Sequence, residues 1–185
     1  MLFRSVWPTS TPTIEAREHS ARFQLSLLAA YPYWCKDDSA ATVLNGIQKL
    51  FKFPWNLSRS YQFGKFMETK FMNVFNGGQV PVPYTATFIA KAEVVNPRIT
   101  NATTGKFLLI KKRLVDGERL VVQITHDRTY VTSNIDGDCR GALSLKSNMF
   151  ELDVGDNVLK PEADSGLTNM QVNIDFAIEI VGIAL

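Results

Sequence analysis

The chain has 185 residues, 45% of them hydrophobic and 21% charged, a composition of soluble globular proteins with room for one good core. Its formal charge of +2, with Lys and Arg scattered along the chain, excludes the concentrated basic face that phosphate-backbone binding requires, and no Gly-rich phosphate loop is present. Cys35 and Cys139 stand far apart without Cys-x-x-Cys spacing, which argues against a zinc site or a disulfide framework and fits a reduced, cytoplasmic origin.

The first residues, MLFRSVWPTSTPT, lack a continuous apolar core of signal-peptide length, and no later run approaches the roughly 18 uninterrupted apolar residues of a membrane span. Neither nucleic acid nor a membrane is therefore expected as a partner, and the sequons at Asn56 and Asn101 are read as chance matches. Arg22 to Ala30, RFQLSLLAA, is one strand-like run that ends in the aromatic cluster Tyr31-Pro32-Tyr33-Trp34. Lys36-Asp37-Asp38-Ser39 could cap a short helix through AATVLNGIQKLF, but Gly46 and the β-branched residues weaken it and Pro54 closes the segment. Residues 36–56 are accordingly expected to be irregular linker or edge structure.

From KFMNVFN onward the signal has period two. In NGGQVPVPYTATF, residues 76–88, Pro81 and Pro83 fix their own φ angles and withhold two ladder donors, so the segment suits a stiff, extended lead-in between strands, with the preceding glycines supplying the turn. ERLVVQITHDRTYVTSN has two β-branched runs around His126-Asp127-Arg128 and predicts a hairpin. In QVNIDFAIEIVGI, Val172, Ile174, Phe176, Ile178 and Ile180 alternate with polar or small residues, which predicts a strand with that row facing a core. Glycine and aspartate recur at Asp116-Gly117, Asp136-Gly137, Gly155-Asp156 and Ser165-Gly166, a spacing typical of antiparallel sandwiches.

These turns and strand starts also carry a resemblance. Pro-Tyr-Trp (32–34), Phe-Lys-Phe-Pro (51–54), Asn-Gly-Gly-Gln-Val-Pro-Val-Pro (76–83), Asn-Pro-Arg-Ile-Thr-Asn-Ala-Thr-Thr-Gly (96–105), Phe-Glu-Leu (150–152) with Gly-Asp-Asn (155–157), and the final Gly182-Ile183 follow one another as in the distal tail proteins of long-tailed bacteriophages, which the chain resembles over residues 22–183. The resemblance implies an all-β fold, an antiparallel two-sheet, galectin-like β-sandwich over residues 60–185. Residues 35–59 would be a linker or edge segment, and residues 1–34 the terminal strands of a largely absent N-terminal ring domain. It implies a structural virion protein of the tail tip, made in the bacterial host cytoplasm, that links the tail tube protein to the tail-tip protein and presents the sandwich to receptor-binding or baseplate proteins. The full-length family forms a hexameric ring; because little of the ring domain would precede the sandwich, this chain alone is expected to be monomeric or weakly associated.

No catalytic constellation can be read from the residues. His19 and His126, the two histidines, have neither a nucleophile context nor metal-ligand spacing, and His126 reads as a hairpin residue. Asp136-Gly137-Asp138 lacks the further oxygen ligands of a calcium loop and reads as a turn. No enzyme activity, cofactor or metal is expected. Trp55, Tyr61 and Phe63 suit core packing as well as stacking on a sugar or partner. Tyr31, Tyr33, Trp34 and Trp55 are the candidate partner or glycan contacts, the alternative function being a carbohydrate-binding sandwich in host-cell adhesion.

Overall fold

The computed structural model describes residues 2–17, 19–44, 46–49, 64–67 and 71–182. Its first part contains β1 (Leu2–Phe3), β2 (Trp7–Pro8), β3 (Thr13–Arg17), β4 (Ser20–Gln24), β5 (Leu27–Leu28), β6 (Trp34–Leu44), β7 (Gly46–Lys49) and β8 (Gly64–Met67). The remainder contains β9 (Met72–Asn76), β10 (Thr85–Ala90), β11 (Val94–Val95), β12 (Arg98–Asn101), β13 (Phe107–Leu109), β14 (Arg113–Leu114), β15 (Arg119–Ile124), β16 (Thr129–Ser133), β17 (Gly137–Asp138), β18 (Gly155–Glu162) and β19 (Met170–Ile180).

Two sheets share one core. The larger runs β1-β6-β19-β10-β15-β16-β17 and the smaller β13-β12-β18-β9, with every pairing antiparallel. Strand alternation makes this possible: in β10, Ala86, Phe88 and Ala90 are buried while Thr85, Thr87 and Ile89 are only partly so. Register then lines the buried side chains into rows across the larger sheet. Leu120, Phe88 and Val172 form one row, and Val131, Val122, Ala86 and Ile174 the next. Val74, Ile99, Leu108 and Leu159 of the smaller sheet close the same core from the opposite side. Each fully buried Leu, Ile or Phe contributes about 1.5–3 kcal/mol relative to exposure. The expected sandwich and the expected hairpin, β15–β16, are both present.

The stiff lead-in has a defined use. Val82, between the two prolines, donates its N–H to the Leu152 carbonyl at 3.0 Å and accepts from the Leu152 N–H at 2.9 Å. The donors withheld by Pro81 and Pro83 are thus those on either side of a single two-bond bridge.

Three segments differ from the sequence reading. Residues expected as irregular linker or edge structure instead begin with the long strand β6, which pairs with β19 from Leu44↔Val172 to Trp34↔Ile180. Its local signals are weak, and the open edge of β19 supplies the ladder that decides its conformation. RFQLSLLAA contributes to two short strands, β4 and β5, rather than one. In β19 the register shifts between Ala177 and Glu179, so Val172, Ile174 and Phe176 face the core as expected, but Ile178 is only partly buried and Ile180 leaves the core row. The shift turns Glu179 inward, where it is 4% exposed.

Candidate functional site

The inward turn of Glu179 builds the most unusual polar cluster in the described residues. The Tyr31 hydroxyl donates to Glu179 Oε1 at 2.5 Å, while Glu179 Oε2 is buried without a hydrogen-bond partner. Cys35 lies opposite Glu179 in the ladder between β6 and β19. Burial, reinforced by the hydrogen bond to and charge of Glu179, pushes the Tyr31 phenol well above its ordinary range, so the hydroxyl keeps its proton and acts as a donor. Burial, and after it the charge of Glu179, pushes the Cys35 thiol up as well.

On the other side of Tyr31 stands His126. It is carried by the loop between β15 and β16, where the Thr125 N–H donates to the Arg128 carbonyl at 2.8 Å and closes a tight turn. His126 Nε2 is 2.5 Å from the Tyr31 hydroxyl and 3.7 Å from Glu179 Oε2, and Nδ1 is 2.8 Å from Glu151 Oε1. The rings of Tyr31 and Tyr33 meet edge to face at 5.5 Å, and Tyr31 lies 5.6 Å from the imidazole. A groove of about 340 Å³ opens beside the cluster, lined among others by Pro81, Lys106, His126, Phe150, Glu151 and Asp153.

Of the aromatic candidates, Tyr31, Tyr33 and Trp34 are partly buried and packed against this chain's own groups; Arg4 lies over the Trp34 ring at 5.7 Å and donates from Nε to the Tyr31 carbonyl at 2.9 Å. Trp55, Tyr61 and Phe63 lie outside the described residues. His19 sits in the turn between β3 and β4. Asp136 and Asp138 do not converge on a common point: Asp136 pairs with Lys112 at 2.7 Å and Asp138 with Arg140 at 2.8 Å.

Sequence reasoning set His126 aside as a turn residue and did not single out Glu118, Glu151 or Glu179. Glu118, 1% exposed, accepts from Lys112 Nζ and Ser133 Oγ, both at 2.6 Å, and from the Val115 N–H at 3.1 Å. Burial alone would raise its pKa, yet these hydrogen bonds outweigh it and hold the carboxyl below its ordinary range. Its role is to neutralise and fix Lys112 beneath the β16–β17 turn.

The arrangement ties together four separate stretches of chain through polar contacts. The family model described as siphovirus-type tail component, C-terminal domain, matches residues 77–177, the larger part of the sandwich. The chain belongs to the siphovirus-type tail components. This tail component also shares its fold with the crystal structure of the Dit protein of phage SPP1, described as a paradigm of the hub adsorption apparatus in phages infecting Gram-positive bacteria. The superposition has a TM-score of 0.62 at 15% identity and covers 92% of this tail component but 57% of the SPP1 protein. No curated protein matches it. Among the described residues of this tail component, no helix is long and apolar enough to cross a membrane.

Proposed function

We propose that this tail component is a non-enzymatic structural protein of the tail-tip hub, which links the tail tube to the tail-tip protein and offers its sandwich to receptor-binding or baseplate proteins. The observation that carries the reading is the family match over residues 77–177, on a chain whose fold is that of the SPP1 hub protein. Residues 1–34 would be strands of a sheet completed by other polypeptide segments, and Tyr33 and Trp34, near that boundary, would contribute partner contacts.

The ribbon β3–β4 supports this reading. Its register places Ile14 opposite Phe23, and both are exposed, at 70% and 73%. Thr13, Glu15, Arg22 and Gln24 line a shallow cleft on the opposite face. A two-stranded ribbon with one apolar and one polar face has the pattern of a sheet covered on one side, and alone it is marginal in water. Trp7, paired with Leu28, is likewise 67% exposed.

Deleting the gene in the phage tests the proposal. Tails assembled without the protein should lack their tip structures in electron micrographs, and the purified chain should bind tail-tube or tail-tip protein. Tails with complete tips would refute a hub role, and strong selective signals on a glycan array without tail-protein binding would favour a carbohydrate-binding module instead.

A further inference from the structure

Glu151, His126, Tyr31 and Glu179 form an unbroken line of polar contacts drawn from four separate stretches of chain. Counting hydrogens along the line is informative. Tyr31 has one hydroxyl proton and two neighbours at 2.5 Å, Glu179 Oε1 and His126 Nε2. An ionised carboxylate only accepts, so when Tyr31 donates to Glu179, His126 must offer an N–H at Nε2. At its other nitrogen the ring faces Glu151 Oε1, again an acceptor. An imidazole carrying hydrogen on both nitrogens makes all three bonds. A neutral ring has one hydrogen and leaves one contact without a proton.

The environment makes that difference costly. If Tyr31 turned its proton toward a neutral His126, both oxygens of Glu179 would be left unpartnered on a side chain only 5% exposed, with Nε2 at 3.7 Å no longer bearing charge. Among the described residues, charged and titratable groups approach the ring from several elements. Glu179 and the neighbouring Cys35 belong to the large sheet, the Tyr33 ring lies 6.4 Å from the imidazole, and Asp127 and Arg128 follow His126 on its own loop. Lys106 and Asp153 line the adjoining groove with Glu151, and Arg4 holds the Tyr31 carbonyl from behind.

We propose that the Glu151–His126–Tyr31–Glu179 line is a protonation-dependent latch that fastens the segment carrying Tyr31, and with it the ribbons of residues 6–28, onto the sandwich. With both carboxylates ionised and His126 doubly protonated the latch is closed; loss of one imidazole proton breaks a bond in the line and loosens Tyr31. The inference concerns this chain's own contacts and stands whether or not the hub assignment does.

Hydrogen exchange of the intact protein, corrected for the intrinsic pH dependence of exchange, reads the latch directly through the amides of residues 29–31 and 33–36. Protection in the native sequence is expected to be about tenfold greater near pH 5.5 than near pH 8, the range over which imidazole can change charge. His126→Gln, whose amide is polar but takes up no proton in this range, should give the same protection at both values, and Tyr31→Phe should give low protection at both. If His126→Gln does not fold, Glu151→Gln, a change at a partly exposed position, should shrink the pH effect. Equal protection of the native protein at the two pH values, or a native-like pH effect in His126→Gln or Glu151→Gln, overturns the proposal. So would imidazole nitrogen shifts showing His126 neutral at the pH of greatest protection.

Discussion

A Cβ atom at Gly78 would stand 2.6 Å from the backbone carbonyl oxygen of Glu179 and 2.9 Å from Asn76 Oδ1. The approach is fixed from both sides. Gln79 donates its N–H to the same Glu179 carbonyl at 3.0 Å, and the fully buried Asn76 donates from Nδ2 to the Val80 and Leu152 carbonyls, both at 3.0 Å. Gly78→Ala is expected to destabilise the protein by about 1–3 kcal/mol, because the obstructing atom belongs to backbone that has little room to move. Gly77→Ala meets only the exposed ring of Phe75, at 3.3 Å, and should cost much less. Chemical denaturation of the two variants separates them; equal midpoints would show that the loop shifts freely.

The register shift between β6 and β19 makes a second contrast. Phe176, 5% exposed, lies before the register shift, whereas Ile180 lies after it and outside the core row. Phe176→Ala should cost about 3–5 kcal/mol. Ile180→Ala should cost less than about 1.5 kcal/mol, the lower range of aliphatic truncations. Similar losses from both would place the shift elsewhere in the strand.

Glu118 gives stability a dependence on acid. Its folded pKa lies below its ordinary, unfolded value, so the stabilisation is fully present above the ordinary carboxylate range and is lost as pH falls through the lowered folded value. Glu118→Gln should therefore cost about 2 kcal/mol at neutral pH, and the gap to the native protein should narrow in acid. Lys112 retains Asp136 at 2.7 Å in that variant, which limits the loss. Urea midpoints measured across the acid range check both the size and the sign.

Exposure at the ribbon separates folding from association. Replacing Ile14 and Phe23 by Ser should change stability by no more than exposed surface substitutions do, about 0.5 kcal/mol each, and so leave Tm little altered. The same double variant should bind tail partners less well and aggregate less at high concentration. Sedimentation velocity and a partner-binding titration report the two effects independently, and a large fall in Tm would mean that the ribbon is already packed in the free chain. The same sedimentation data, taken on the native sequence, should show a monomer or weak association; a stable hexamer of the chain alone would require the ring surface to lie within these residues.

Period-two patterning made β10, β15, β16 and the first half of β19 readable, because each buries one face and leaves the other polar or partly covered. Patterning failed at the register shift, where Ile178 alone in β19 spans the stretch that three residues, 36–38, occupy in β6. Beyond Ala177 the shift changes which side chains point inward, so Glu179, which alternation placed on the outer face, is buried. The polar line was hidden for another reason: its contacts join residues 95 and 148 positions apart, and neither Tyr31 nor His126 carries a local motif. β6 was obscured because its ladder partner lies more than a hundred positions downstream, while its own sequence reads as a capped, interrupted helix.

The sheet order carries a consequence for synthesis. β19, the last described strand to leave the ribosome, is inserted between β6 and β10, which do not pair with each other. Until residues 170–180 are translated, both earlier strands present an open edge, and the rows running from Leu120 and Val122 into β19 stop short at Phe88 and Ala86. Glu179 is delivered in that same step, so Tyr31 gains its carboxylate partner only when the sheet is closed. The nascent chain is thereby kept from joining β6 to the rest of the large sheet early, and for that interval both edges stand unpaired.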